Sequence, residues 1–158
     1  SCGYLFILFI YSVNMSQLDI VEISSEPLPL LDEVTGLVQD DGAGAITTFS
    51  GTTRNSFQDK VVLELDYEAY VPMAKKVLYE IIKESREKWD LKHIAVYHRV
   101  GNVPVGKTSV IVATSSKHRG DSMDAARYLI DELKDRCPIW KREVYEDGSI
   151  WKGACNQH

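Results

Sequence analysis

Several features that would announce a chemistry are scarce or missing from this chain. Its 158 residues include three cysteines, Cys2, Cys137 and Cys155, an odd number at wide spacing with no CxxC pair. That excludes a disulfide framework and fits a reduced, cytosolic protein. Cys137 sits at the end of an expected helix, just before Pro138, where the helix dipole disfavours a thiolate, so a structural role is expected rather than a nucleophile. The four histidines, at positions 93, 98, 118 and 158, show no metal-ligand spacing, and no metal is expected. Positive charge is also in deficit: 18 Lys and Arg face 23 Asp and Glu, for a net charge of −5 and a pI near 5.4. A nucleic-acid binder needs a continuous basic face, so that class is excluded.

Long hydrophobic runs are absent as well. The run from Tyr4 to Tyr11 is far short of the ~20 residues a membrane helix needs. It lacks a basic start, and no Ala-x-Ala-like cleavage site follows, so no membrane or secretory role is expected. Residues 1–14 read as a non-native or upstream-translated extension, and residues 15–158, from Met15, as the functional domain. Nor do the glycines make a phosphate cradle. Gly42-Ala43-Gly44-Ala45 precedes a strand rather than following one, and Gly106-Lys107-Thr108 lacks the upstream glycine of a P-loop.

What is present is a pattern for one domain, with 44% hydrophobic residues and enough length to bury a core without staples. Residues 18–24 suggest a strand, and Leu30, Leu31, Val34, Leu37 and Val38 recur at helical spacing. Residues 43–51 read as a buried strand leading into the small, polar loop Thr52-Thr53-Arg54-Asn55-Ser56. In 61–69 the odd positions Val61, Leu63, Leu65, Tyr67 and Ala69 define the inner face of a half-buried strand. Pro72 opens a helix whose stripe is Met73, Val77, Leu78, Ile81, Ile82 and Trp89. Strands at 93–100 and 108–114 flank a Gly/Pro turn region at 101–107 and suggest an antiparallel pair. A helix capped by Asp121-Ser122 places Met123, Ala126, Leu129, Ile130 and Leu133 on the core and stops at Pro138. Val144-Tyr145, a Glu146-Asp147-Gly148-Ser149 turn and Ile150-Trp151 close the chain as a hairpin. The fold class is therefore α+β, a mainly antiparallel sheet with packed helices in a single domain.

One stretch stands apart from the acidic background. Residues 117–142 carry seven Lys and Arg against five Asp and Glu, a local excess beside apolar and aromatic residues that suits a pocket for an anionic small molecule. Arg127, Asp131 and Lys134 share a helix face, a spacing that by itself favours a solvated surface. Lys141 follows Lys134 by seven residues, beyond the proline break, so the two ammonium groups can converge. A partly desolvated lysine near other cations is able to act as a base or nucleophile near neutral pH. Trp140 suits either a core position or stacking on a flat heterocycle. His118-Arg119, before a helix, and Arg54, in the polar loop, offer donors to a phosphate or other anion.

In order and spacing, Thr48-Phe49-Ser50-Gly51-Thr52-Thr53-Arg54, Leu65-Asp66-Tyr67-Glu68-Ala69-Tyr70, His98-Arg99-Val100-Gly101, Ser116-Lys117-His118-Arg119 and Pro138-Ile139-Trp140-Lys141-Arg142-Glu143 resemble the large, catalytic subunits of molybdopterin synthases. The resemblance covers residues 18–153. It implies a hammerhead-like fold and a cytosolic sulfurtransferase of molybdenum cofactor biosynthesis, which inserts two dithiolene sulfurs into cyclic pyranopterin monophosphate (precursor Z). It implies no cofactor. The implied sulfur donor is a small ubiquitin-like subunit with a C-terminal Gly-Gly thiocarboxylate, and the implied assembly is a heterotetramer around a central dimer of large subunits. Carried over by motif, Lys134 and Lys141 are the catalytic lysines. Arg54, His118 and Arg119 hold anionic groups such as the substrate phosphate, Thr52 and Thr53 line the same loop, and Arg142 and Glu143 complete the site. The segment before Met15 and the short tail from Ala154 depart from the family pattern. A non-catalytic module gripping a ubiquitin-like tail or a phosphorylated ligand would need the same Arg54, His118 and Arg119 but neither lysine.

Overall fold

A computed structural model describes residues 17–155. The apolar run at Tyr4–Tyr11, the expected start at Met15, Cys2 and His158 lie outside the described residues. Among the described residues, two sheets and three helices make up a single α+β domain. The first sheet has the order β1 (Asp19–Ser24), β5 (Leu91–Arg99), β7 (Thr108–Ser116), β2 (Ala45–Thr52). Only β1 and β5 run parallel in it, with Asp19 opposite Ile94. The second sheet orders β3 (Ser56–Phe57), β4 (Lys60–Ala69), β8 (Ile139–Tyr145) and β9 (Ile150–Ala154), with β6 (Gly101–Pro104) also paired to β4.

Strands β5 and β7 are apolar on both faces because both faces are covered, as near-continuous hydrophobic strands require. Ile94, Val96, Val110 and Val112 point into the main core with Leu78 and Ile81 of α2 (Val71–Lys88) and Leu129 and Leu133 of α3 (Arg119–Arg136). The alternate residues Ala95, Ile111 and Ala113 pack instead on Val34 and Val38 of α1 (Leu31–Val38). The second sheet turns Leu65, Tyr67, Ile139 and Tyr145 onto the main core. No helix of the described residues is long and apolar enough to cross a membrane.

Some local expectations are corrected. Val61 and Leu63 are exposed and Val62 is buried, because an irregularity between Val62 and Glu64 shifts the register of β4 against β8 and reverses its alternation upstream. The stretch from Gly101 is not wholly a turn: four residues form β6, pairing Val103 with Leu65. Helix α3 starts at Arg119 with His118 as its N-cap residue, so Asp121 lies in the first turn and is not the cap. Ser122, Ala125 and Ala126 take the buried positions there, and Met123 is rotated outward. These small residues let α3 approach β7 closely enough for Thr114 Oγ1 to donate to the Ser122 carbonyl at 2.7 Å. Met73 and three leucines of the α1 segment, Leu30, Leu31 and Leu37, are likewise exposed.

Candidate active site

Strand β2 closes on β7 so tightly that a Cβ on Gly51 would stand 2.7 Å from Val110 Cγ1. The pairing slips immediately afterwards, between Gly51 and Thr52, and the chain leaves the sheet. Thr53 then pins the loop. Its N–H donates to Lys107 O at 3.0 Å, its carbonyl accepts from Gly106 N–H at 2.8 Å, and its hydroxyl donates to Val103 O at 3.3 Å. Thr53 is therefore a buried anchor. Arg54, the next residue, lies over the Phe57 ring at 5.7 Å.

Between this loop and the second sheet lies a cavity of about 170 Å³. Thr52 and Arg54 line one side, Tyr67 of β4 and Ser109 of β7 line the floor, and Lys134, Lys141 and Glu143 enter from α3 and β8. Pro138 ends α3 and lets the chain turn directly into β8, which is why two lysines seven residues apart meet. Three cations thus surround the space with one carboxylate among them.

Burial of the ammonium end pushes the Lys134 pKa down, and the charge of Lys141 pushes it the same way. The residue is exposed overall, but its ammonium end lines the cavity. Lys141 Nζ lies 3.4 Å from Glu143 Oε1 and 5.8 Å from the centre of the Trp151 ring. Glu143 is 4% exposed, and its other oxygen, Oε2, accepts a hydrogen bond from the Tyr145 hydroxyl. Burial raises the Tyr67 pKa against the opposing effect of a hydrogen bond with Ser109, so this phenol stays protonated. Behind Tyr67 sits His98, edge-on at 5.1 Å between ring centroids. Burial lowers the His98 pKa to about 4, so the ring is neutral, and Nδ1 lies 2.8 Å from Arg99 O, the geometry of an Nδ1–H donor.

The remaining candidates lie elsewhere. Arg142 follows Lys141 on a strand, so it faces the opposite side of the sheet, where it pairs with Asp66 at 3.1 Å in a separate pocket beside Trp140 and Lys152. His118 and Arg119 are exposed at the start of α3. Fifteen residues of helix separate Arg119 from Lys134, roughly 22 Å at ~1.5 Å per residue, so neither borders the cavity of its own chain. Tyr67, Ser109 and Tyr145 are not among the site residues expected from sequence. For Tyr145 the signal was available, because Lys141, Glu143 and Tyr145 alternate along one strand face. Among the described residues, no group of three or more His, Cys, Asp or Glu is placed to hold a metal ion.

The family model described as MoaE protein matches residues 23–136, which contain the Arg54 loop, the cavity floor and Lys134. The chain belongs to the MoaE family. The human molybdopterin synthase catalytic subunit is 50% identical over 135 residues, covering 85% of this chain and 71% of the human protein. Among solved structures, molybdopterin synthase from Staphylococcus aureus superposes with a TM-score of 0.78 at 37% identity, over 84% of this chain and 96% of that one. A complex of subunits 1 and 2 of molybdopterin-converting factor from Helicobacter pylori shares the fold, with a TM-score of 0.66 at 18% identity over 90% and 92% of the two chains. The MoaE chain described here is accordingly a molybdopterin synthase catalytic subunit, an enzyme of molybdenum cofactor biosynthesis.

Proposed function

We propose that the cavity between Arg54, Lys134 and Lys141 is where two dithiolene sulfurs enter cyclic pyranopterin monophosphate. The donor is the C-terminal thiocarboxylate of a small ubiquitin-like subunit, and residues 15–158 are the functional unit. The observation that carries this reading is the convergence of three cations from separate elements on one partly enclosed space. Such a space suits an anionic acyl donor and an anionic pterin together. Among the described residues the two thiols are poor alternatives as sulfur carriers: burial pushes Cys137 up to about 12 and raises Cys155 despite the pull of Lys134 and Lys141. Sulfur brought by another chain removes the need for a thiolate.

In each transfer the thiocarboxylate sulfur forms a C–S bond to the pterin side chain, and the displaced oxygen leaves as water. Attack of a second water on the acyl carbon then breaks the acyl C–S bond and frees the partner's carboxylate. Lys134, whose proton is loosened by desolvation, delivers the proton to the departing oxygen. Lys141, held by Glu143, supplies fixed positive charge to the developing oxyanion, a role that mutagenesis elsewhere values at about 2.7–4 kcal/mol per donor. Arg54 binds an anionic group of the substrate, and Thr52 shapes the wall beside it. His118 and Arg119 reach a substrate phosphate only across a central dimer, from the second copy of the chain, since their own cavity is too distant. Arg142 lends its charge from behind the sheet. The assembly is a cytosolic heterotetramer.

The test mixes the chain with thiocarboxylated small subunit and precursor Z and follows the pterin by mass spectrometry. A doubly sulfurated product is expected, and Lys141→Ala nearly abolishes it while partner binding persists. Wild-type turnover by that variant, or no mass gain where an authentic synthase works, would refute the reading.

A further inference from the structure

We propose that Tyr145 is a positioning residue for Lys141, acting through Glu143: its hydroxyl occupies Oε2 and leaves Oε1 to the lysine. The inference rests on the reading of Lys141 as a catalytic group. Tyr145 itself does not line the cavity, so any effect on the reaction must be relayed.

The relay follows from strand geometry. Side chains two apart on β8 share a face and stand roughly 6.8 Å apart along the strand, which puts Lys141, Glu143 and Tyr145 in one inward row. A carboxylate buried as deeply as that of Glu143, 4% exposed, is tolerated only if its oxygens are satisfied. With Oε2 bonded to the phenol, the carboxylate is anchored on one side, and Lys141 Nζ makes its closest approach to the other oxygen, Oε1, at 3.4 Å. Lys141 lines the cavity, so a carboxylate held in place also holds the lysine's charge there.

Tyr145 suits this task because it is held from several directions. Its N–H donates to Ser149 O and its carbonyl accepts from Gly148 N–H, both at 3.1 Å, across the β8–β9 turn. The ring belongs to the main core, and Lys60 Nζ stands 5.1 Å from its centre, itself tied to Ser149 Oγ at 3.1 Å and Asp147 at 3.6 Å. Burial and the adjoining Glu143 carboxylate push the phenol up to about 12, so it remains a donor throughout the neutral range.

The experiment uses Tyr145→Phe, which keeps the ring and removes the hydroxyl, in the complete assay with precursor Z and thiocarboxylated partner. The expected result is a fall in kcat of about tenfold, the usual scale for losing one hydrogen bond to a charged group, with KM for both substrates within twofold of wild type. A crystal structure of the variant is expected to show the Lys141–Glu143 contact rearranged. Lys60→Met, which strips the cation from the same ring but spares the hydroxyl, is expected to turn over normally. Wild-type kcat in Tyr145→Phe, an unchanged Lys141–Glu143 geometry, or an equal loss in Lys60→Met overturns the inference. Lys141→Ala run alongside separates the two failures: if it is inactive while Tyr145→Phe is normal, only the positioning role falls. If Lys141→Ala is itself active, the parent reading falls.

Discussion

Acidification removes stability from this fold through His98. The ring is 3% exposed, packed edge-on against Tyr67 and positioned to donate to the Arg99 carbonyl, and burial lowers its pKa from 6.5 to about 4. An unfolded chain therefore binds a proton at a pH where the folded one refuses it. Because the folded pKa is the lower of the two, the contribution is complete above pH 6.5 and is lost progressively as pH falls toward 4. The interval is worth ~3 kcal/mol at about 1.4 kcal/mol per pKa unit, a large part of the net stability of an ordinary domain. Urea denaturation at a series of pH values from 7.5 to 4 measures it, with His98→Asn as reference, since the amide can replace the Nδ1–H donor and does not titrate. The variant starts less stable, having lost the ring, so the slope is the readout. The wild-type advantage is expected to shrink by about 3 kcal/mol across the window. Parallel curves for the two proteins would falsify the assignment of a buried neutral imidazole.

Other outcomes follow from neighbouring geometry. Gly51→Ala drives a methyl to 2.7 Å from Val110 Cγ1, and the overpacking is expected to lower stability by about 1–3 kcal/mol and weaken turnover by displacing the Arg54 loop. Thermal melts and the pterin assay read the two effects. Glu84 is held down to about 2, first by its hydrogen bonds from Arg136 and then by that from Tyr128. Its contribution is present above the ordinary 4.5 and lost as pH falls toward 2, so Glu84→Gln is expected to flatten acid unfolding followed by circular dichroism between pH 4.5 and 2. Burial holds the Cys137 thiol at about 12, so iodoacetamide at pH 8 is expected to spare it in the native protein and label it after denaturation, as peptide mapping shows.

Local chemistry and periodicity were legible in the sequence. Pro138 signalled the turn that brings Lys134 and Lys141 together, and the Thr52-Thr53-Arg54 loop was correctly a strand exit. Positions that depend on distant partners were not legible. The register shift at Val62 exists only in the pairing of β4 with β8, and nothing inside 61–69 announces it. Strand β6 exists because β4 offers it an edge, although its own sequence reads as turn. Adjacency in the chain also misled about electrostatics: Lys141 and Arg142 are neighbours on opposite faces, and α3 carries Arg119 far from Lys134. The positive excess counted over 117–142 is therefore spread over separate surfaces, and the cavity draws its third cation, Arg54, from outside that stretch.

The parallel pairing of β1 with β5 sets an order of events for the nascent chain. Leu18 N–H donates to His93 Nδ1 across 75 residues, and Arg142 meets Asp66 across 76. Each sheet is therefore closed only by chain made much later, and such distant closures are slow and costly to nucleate. Arg54 waits for Lys134 and Lys141 to leave the ribosome before its pocket has a second wall. A fragment ending before β8 lacks Lys141 and Glu143, so the cavity gains the last of its three cations and its carboxylate only once β8 has been made.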